Sequence, residues 1–411
     1  MKKIIVLSAI LAVAFTGCWR SSSSKAQGGP QSAYNAPVME GLTDFSFRLY
    51  RQLSSGNQSN VLFSPLSISS AISMAYVGSR DETAIQIARV MGYPGSVDLV
   101  ARGFGWLTDY LSPGGDTPYQ LMAANGLFLQ TGFELQSHFS DLMSGSYQGE
   151  FFRVDFEKDP EAAREQANGW VSKQTAGKID QLVPSGAVNE ATRLLLVSSL
   201  YMKAPWSSPF SSQSTQAAPF YPLGGGSVQV PMMRQRGTFP YYKGTGFSFL
   251  KLPYAAGSKG PRLAMLLLMP DNPKHFHLVE KRITPKALRA GLGRLQMRQV
   301  DVGLPRFSLK TDLPLSNVLS SMGMQVAFSN RADFSGINGE RDLMLQSVMH
   351  GVTLDVDEAG TEAAAATSVA IGVKSMPMGQ PVRFWADHPF LFMIIDEQSG
   401  AILFMGRYAR P

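Results

Sequence analysis

Very little in this sequence could perform chemistry on another molecule. The 411 residues contain no Gly-x-Ser-x-Gly elbow, no phosphate-cradling glycine loop and no zinc-protease helix, the spacings that put a nucleophile, an anion site or a metal in place. His275 and His277 are spaced like two metal ligands, but no third is evident, so they read as surface residues and neither metal nor cofactor is implied. His350 sits in an apolar run and reads as a hydrogen-bonded core histidine. What the residues do permit is chemistry done to the chain. Lys374 is the only Lys or Arg between Arg341 and Arg383, with Gly372 before it and Pro377 after it, and its ammonium group suits the pocket of a trypsin-like protease. Val373, Ala370 and Ile371 would suit elastase-like or subtilisin-like enzymes, and Met376 and Met378 chymotrypsin-like ones.

The stretch that must present Lys374 has two readings. Alanine's high helix propensity makes Glu362 to Ala366 helical. Alternation makes the same residues a strand, with Thr361, Ala363, Ala365, Thr367, Val369, Ile371 and Val373 forming a face that carries no charge. Gly360 is expected to serve as a pivot, through backbone angles closed to other residues.

The rest of the chain supplies the scaffold. With 44% hydrophobic residues it can bury a large core, and its net charge of +6, from 37 basic and 31 acidic residues without a Lys/Arg block, reads as ordinary surface charge with no nucleic-acid partner. Met1-Lys2-Lys3 followed by the apolar run Ile4–Phe15 predicts an export signal over residues 1–17, too short to span a membrane comfortably. Phe15-Thr16-Gly17-Cys18 resembles a bacterial lipoprotein processing site, which would make Cys18 a lipid anchor. Cleavage after Ala12-Val13-Ala14 would instead leave it a free thiol. Cys18 is the only cysteine, so the chain forms no internal disulfide. Residues 18–38, rich in Ser, Gly and Pro, predict a flexible tether.

From residue 39 to 411 the text is continuous. An amphipathic helix is expected over Met39–Leu53, a small-residue helix over Ser69–Val77, a buried strand over Leu194–Met202, one helix over Leu278–Leu295, one strand over Val300–Leu309, and a strand from Gln346 to Val356 feeding the Ala-rich stretch. Helices and strands are mixed without strict alternation and without an internal repeat, which predicts a single α+β domain.

Two segments carry a family resemblance. Glu358 to Thr367, reading EAGTEAAAAT, resembles the hinge of the reactive-centre loop of inhibitory serpins, and Phe384 to Ile394 resembles the C-terminal signature of the same family. The resemblance extends over about residues 39–411 and implies the serpin fold: a large central sheet, further sheets, helices, and an exposed reactive-centre loop over about 358–382. It implies a hinge made of Glu358, Gly360, Thr361, Glu362, Ala363, Ala364, Ala365, Ala366 and Thr367, and carrying over the family's spacing from Gly360 puts the reactive bond at Lys374-Ser375. It also implies a sheet-opening region in which His350 joins Ser64 and Ser67, Ser199 stands where the family has an asparagine, and Trp206 lies near the hinge where insertion begins.

The resemblance implies no enzyme. The expected function is suicide-substrate inhibition of serine, and by extension cysteine, endopeptidases by a monomer that is lipid-anchored to a bacterial outer membrane or cell surface, or else periplasmic or secreted. The alternative is a non-inhibitory serpin acting as a binding or chaperone module. The small, uncharged inserting face favours the inhibitor, because bulky or charged residues there would block entry to a sheet.

Overall fold

The computed structural model describes residues 30–112, 117–147, 150–258, 260–361 and 380–411. Residues 1–29, with Cys18, and 362–379, with Glu362 to Thr367, Lys374 and Ser375, lie outside the described residues, so the expectations for them are neither met nor corrected by the fold.

The helices that matter below are α1 (Pro30–Ser54), α2 (Pro65–Gly78), α3 (Asp81–Met91), α4 (Val97–Leu111), α5 (Ser137–Ser146), α6 (Pro160–Gln174), α7 (Phe276–Arg282) and α8 (Pro285–Leu292). The strands are β1 (Val61–Phe63), β2 (Gln120–Gln130), β3 (Phe151–Val154), β4 (Leu194–Pro205), β5 (Gln216–Phe220), β6 (Val228–Lys243), β7 (Phe247–Pro253), β8 (Leu263–Pro270), β9 (Gln296–Pro305), β10 (Phe307–Pro314), β11 (Ser347–Val356), β12 (Gly360–Thr361), β13 (Val382–Trp385), β14 (Phe390–Asp396) and β15 (Ile402–Tyr408). One sheet runs β10-β11-β12-β4-β2-β3. The other runs β1-β15-β14-β8-β7-β6-β9-β13, with β5 paired to β6.

Helix α2 explains how the first sheet is supported. Every residue from Pro65 to Gly78 is buried, and the run of Ser69, Ser70, Ala71, Ser73 and Ala75 lets the helix lie close beneath β2 and β4. Ser64 caps it, its Oγ accepting from the Ser67 amide at 3.2 Å, and Pro65 occupies the first helical turn, where a missing N–H costs nothing. The opposite face of the sheet packs on α6 through a separate cluster that includes Leu195, Val197, Ile179 and Val171.

Three expectations are corrected. Helix α1 begins at Pro30, inside the stretch read as tether, and Val38 is buried against Gly103, where a Cβ would come within 2.8 Å of the valine. The helix expected over 278–295 is two helices, because Thr284 caps α8 by accepting from the Ala287 amide and Pro285 opens it, and α7 ends at Arg282. The strand expected over 300–309 is β9 and β10, in different sheets, parted at Arg306.

The buried Arg407 ties the second sheet to the helices. It is 1% exposed, and its guanidinium donates to Glu280 of α7, to the Ser59 carbonyl and to the Asn57 carbonyl, each at 2.8 Å. Removing one partner of such a pair leaves a buried charge uncompensated, which costs about 3–5 kcal/mol. Glu280→Ala is therefore expected to destabilise the fold by several kcal/mol, read as a lower urea midpoint. A midpoint within error of wild type would show that the Ser59 carbonyl and the backbone and side-chain oxygens of Asn57 suffice.

Candidate functional site, the seam between β4 and β11

Strands β4 and β11 run parallel, Ser347–Val352 pairing residue for residue with Leu195–Leu200. Above Val352 they part. The gap is wedged by β12, with Gly360 opposite Pro205 and Thr361 opposite both Ala204 and Val356. The hinge expected to enter a sheet thus already has Gly360 and Thr361 in it.

The wedge is held by contacts on every side. Gly360 is needed for room rather than for unusual angles: a Cβ there would meet the Ala204 carbonyl oxygen at 2.1 Å, and its φ is not among the positive ones. This corrects its expected role as a pivot. Thr361 is fully buried, and its Oγ1 lies 2.7 Å from the Tyr254 hydroxyl. Trp206 stacks on the Tyr254 ring, centroids 4.5 Å apart at 10°, and its Nε1 donates to the Asp357 carbonyl at 3.0 Å. Its backbone N–H donates to Ala359, so the tryptophan is both core aromatic and hinge clasp. Asp357 Oδ1 accepts from the amides of Ala359 and Gly360, which fixes the turn.

Glu358 accepts from Arg306 and Thr215. Burial alone would raise its carboxyl pKa, but these two hydrogen bonds, a backbone hydrogen bond and the charge of Arg306 together hold the group below the usual carboxylate range.

Lower down, the seam is closed by a histidine. His350 is fully buried, and its Nε2 accepts from the Ser64 amide at 3.0 Å, which places the ring proton on Nδ1. Nδ1 donates to Ser198 Oγ at 2.9 Å, with Ser67 Oγ at 3.5 Å. One side-chain hydrogen bond therefore crosses directly between the two strands, His350 on β11 and Ser198 on β4, anchored from below by α2.

Ser199, the expected partner, is not there. It shares the face of Leu195 and Val197, away from α2, and its buried Oγ has no hydrogen-bond partner among the described residues. A one-residue shift along a strand moves a side chain to the other face. Leu194, Leu196 and Leu200 belong to the cluster on the α2 side, which puts Ser198 with them. Asn125 of β2 stands opposite Ser198 and extends the polar row to a third strand. Sequence reasoning missed both, along with Tyr254 and Asp357. The signal was parity along β4: a residue that meets His350 must alternate with the leucines facing α2. His275 and His277 lie at the exposed start of α7, far in sequence from this cluster.

Among the described residues no metal-ligand set gathers at the seam, which consists of the wedge above, the His350–Ser198 hydrogen bond below and the parallel pairing between them.

Comparison with known proteins agrees with this geometry. The family description "Serpin (serine protease inhibitor)" fits residues 40–411. A serpin-like protein of Thermococcus kodakarensis is 35% identical over all of this chain and 99% of its own length. The leukocyte elastase inhibitor of Equus caballus is 36% identical over 90% of this chain and 98% of its own. Among solved structures, uncleaved ovalbumin superposes with a TM-score of 0.80 at 26% identity, covering 91% of this chain and all of that one. The chain belongs to the serpin family, described as serine protease inhibitors.

The latch carries a pH dependence. Burial pushes the His350 pKa down from 6.5 to about 3, with a hydrogen bond that the ring gives to the Ser198 backbone opposing, so the folded chain keeps the ring neutral where the unfolded chain would protonate it. Below about pH 6.5 the unfolded state binds more protons. The histidine's contribution, a few kcal/mol at most, is thus complete above that pH and is lost as pH falls toward 3. His350→Gln is expected to lower stability at neutral pH and to flatten the fall of the unfolding midpoint between about pH 6.5 and about pH 4. An equally steep fall in the variant would assign that dependence to other groups.

Proposed function

We propose that this serpin is a suicide-substrate inhibitor of serine endopeptidases, trypsin-like ones first, which it traps as acyl-enzymes on Lys374. The observation that carries the reading is the register of the wedge. Thr361 stands opposite Ala204 on one side and Val356 on the other. Continuing that register down the seam brings Thr367 opposite Ser198 by one flank and opposite His350 by the other, and those two residues are themselves a pair. Both flanks assign the same residue to the latch. A hydroxyl would enter where the His350–Ser198 hydrogen bond must break, and Ile371 would reach Leu194 at the foot of β4. The face turned toward α2 would be Thr361, Ala363, Ala365, Thr367, Val369 and Ile371, small or apolar throughout.

The chemistry follows. The protease's nucleophile attacks the Lys374 carbonyl carbon, the Lys374-Ser375 bond breaks, the Ser375 amine leaves with a proton, and the acyl ester remains on the enzyme. The freed strand then enters between β4 and β11, gaining ladder hydrogen bonds on both edges. Serpins are themselves the type case of such loop insertion and of the release of stored strain. Gly360 to Lys374 spans 14 residue-to-residue steps, so at about 3.3 Å each the inserted strand reaches roughly 46 Å and carries the acylated protease to the far end of the sheet. Distortion of its active site there leaves the ester unhydrolysed. We further propose that export and lipid attachment at Cys18 hold this monomeric inhibitor at a bacterial surface, with release into the periplasm or medium as the alternative.

Incubating the protein with trypsin is expected to give a complex that survives SDS and a released peptide beginning at Ser375 by mass spectrometry. Thr361→Arg, which forces a charge into a fully buried position at a cost of several kcal/mol, should be cut as a substrate without forming that complex. An undiminished yield of complex from Thr361→Arg would contradict insertion. A peptide starting elsewhere, or trypsin inhibition that survives Lys374→Ala, would move the reactive bond. No complex with any protease would favour the non-inhibitory alternative.

A further inference from the structure

We propose that a cavity between β7–β8 and α7–α8 binds a small monocarboxylate with an apolar tail. The cavity measures about 120 Å³ and is walled by Phe247, Phe249, Leu268, Val279, Ile283 and Leu288. An apolar cavity of about 150 Å³ is enough to take up benzene, so this one matches a single ring or a short alkyl chain. Its room comes from Gly291 of α8, which presents only backbone to Phe249. A Cβ at Gly291 would approach that ring to 3.0 Å.

The mouth supplies the second half of the ligand's description. The polar residues of the lining are Thr245 and Arg282, both exposed. The Arg282 guanidinium makes no hydrogen bond or ion pair with any described residue. Its own helix offers no compensating acid, because Glu280 is committed to Tyr50 and Arg407. Between Asn272 and Val300 Glu280 is also the only acidic residue, against Lys274, Lys281, Arg282, Lys286, Arg289, Arg294 and Arg298. Asp271, whose amide donates to the Gly246 carbonyl beside Thr245, is paired with Lys243, so the unpartnered planar cation at the rim of an apolar pocket is complementary to a carboxylate whose tail fills the pocket. The site is remote in sequence from the hinge and seam and stands whether or not the chain inhibits a protease.

Calorimetric titration of the folded chain separates the parts of this description. Hexanoate and phenylacetate serve as full ligands, 1-hexanol as the tail without the charge, and acetate as the charge without the tail. The two acids are expected to bind, the more tightly bound one telling chain from ring, with hexanol at least about tenfold weaker and acetate undetected. Arg282→Gln should weaken the acids by about tenfold and leave hexanol unchanged. Ala287→Trp, a plug placed on the exposed rim, should abolish binding of all of them. Failure of both acids to bind wild type overturns the proposal, as does unchanged acid affinity in Arg282→Gln. Binding that survives a folded Ala287→Trp also overturns it, and if that variant does not fold the Arg282 arm decides alone.

Discussion

The whole arrangement depends on one weak line in a large sheet. β4 and β11 touch through only six parallel residue pairs, and above those pairs the strands are held apart rather than together. Both flanking strands are otherwise well secured, β4 by its long antiparallel pairing with β2 and β11 by β10. Parting them therefore gives up little of the rest of the fold. The residues that resist parting are equally few: the His350–Ser198 hydrogen bond below and the clasp of Trp206, Tyr254 and Asp357 around the hinge above.

That economy explains why buried polar residues concentrate there. A neutral histidine anchored to the cap of α2 is a stiff post with one hydrogen bond across the seam, and such a bond is cheap to exchange for another of the same kind. Gly360 plays the complementary role at the top, since any larger residue would collide with the β4 backbone and hold the wedge out of the sheet.

Much of this was legible in the sequence, in physical terms. The small residues of α2 announced a helix flush against a sheet, whereas the alternating face that continues past Thr361 lies outside the described residues and remains a reading of the sequence alone. What was not legible follows from burial on two sides. Leu194 to Leu200 is buried on both faces, so periodicity could not check which face each residue takes, and the resemblance put the polar partner at Ser199 rather than Ser198. Helix α4 was not anticipated because Gly103 and Gly105 weaken its local propensity. They are there so that Val38 and the Ser146 backbone can approach, contacts that no local pattern records. The split of the 278–295 helix was readable in Thr284-Pro285, a capping signal that the run of periodic apolar residues overrode. The reactive bond and Cys18 lie outside the described residues, so those two readings rest on sequence and chemistry alone.

If the seam is a vacancy waiting for a strand, the intact chain is a kinetically trapped state, and cutting the loop without a trapped protease should release it to a more stable one. The most direct measurement is the thermal melting of intact protein beside protein nicked in the loop, both fragments kept together and scanned at the same rate. The account predicts that the nicked form melts well above the intact one, because six parallel pairs are replaced by a full strand bonded on both edges. Equal melting temperatures, or a lower one after nicking, would contradict it.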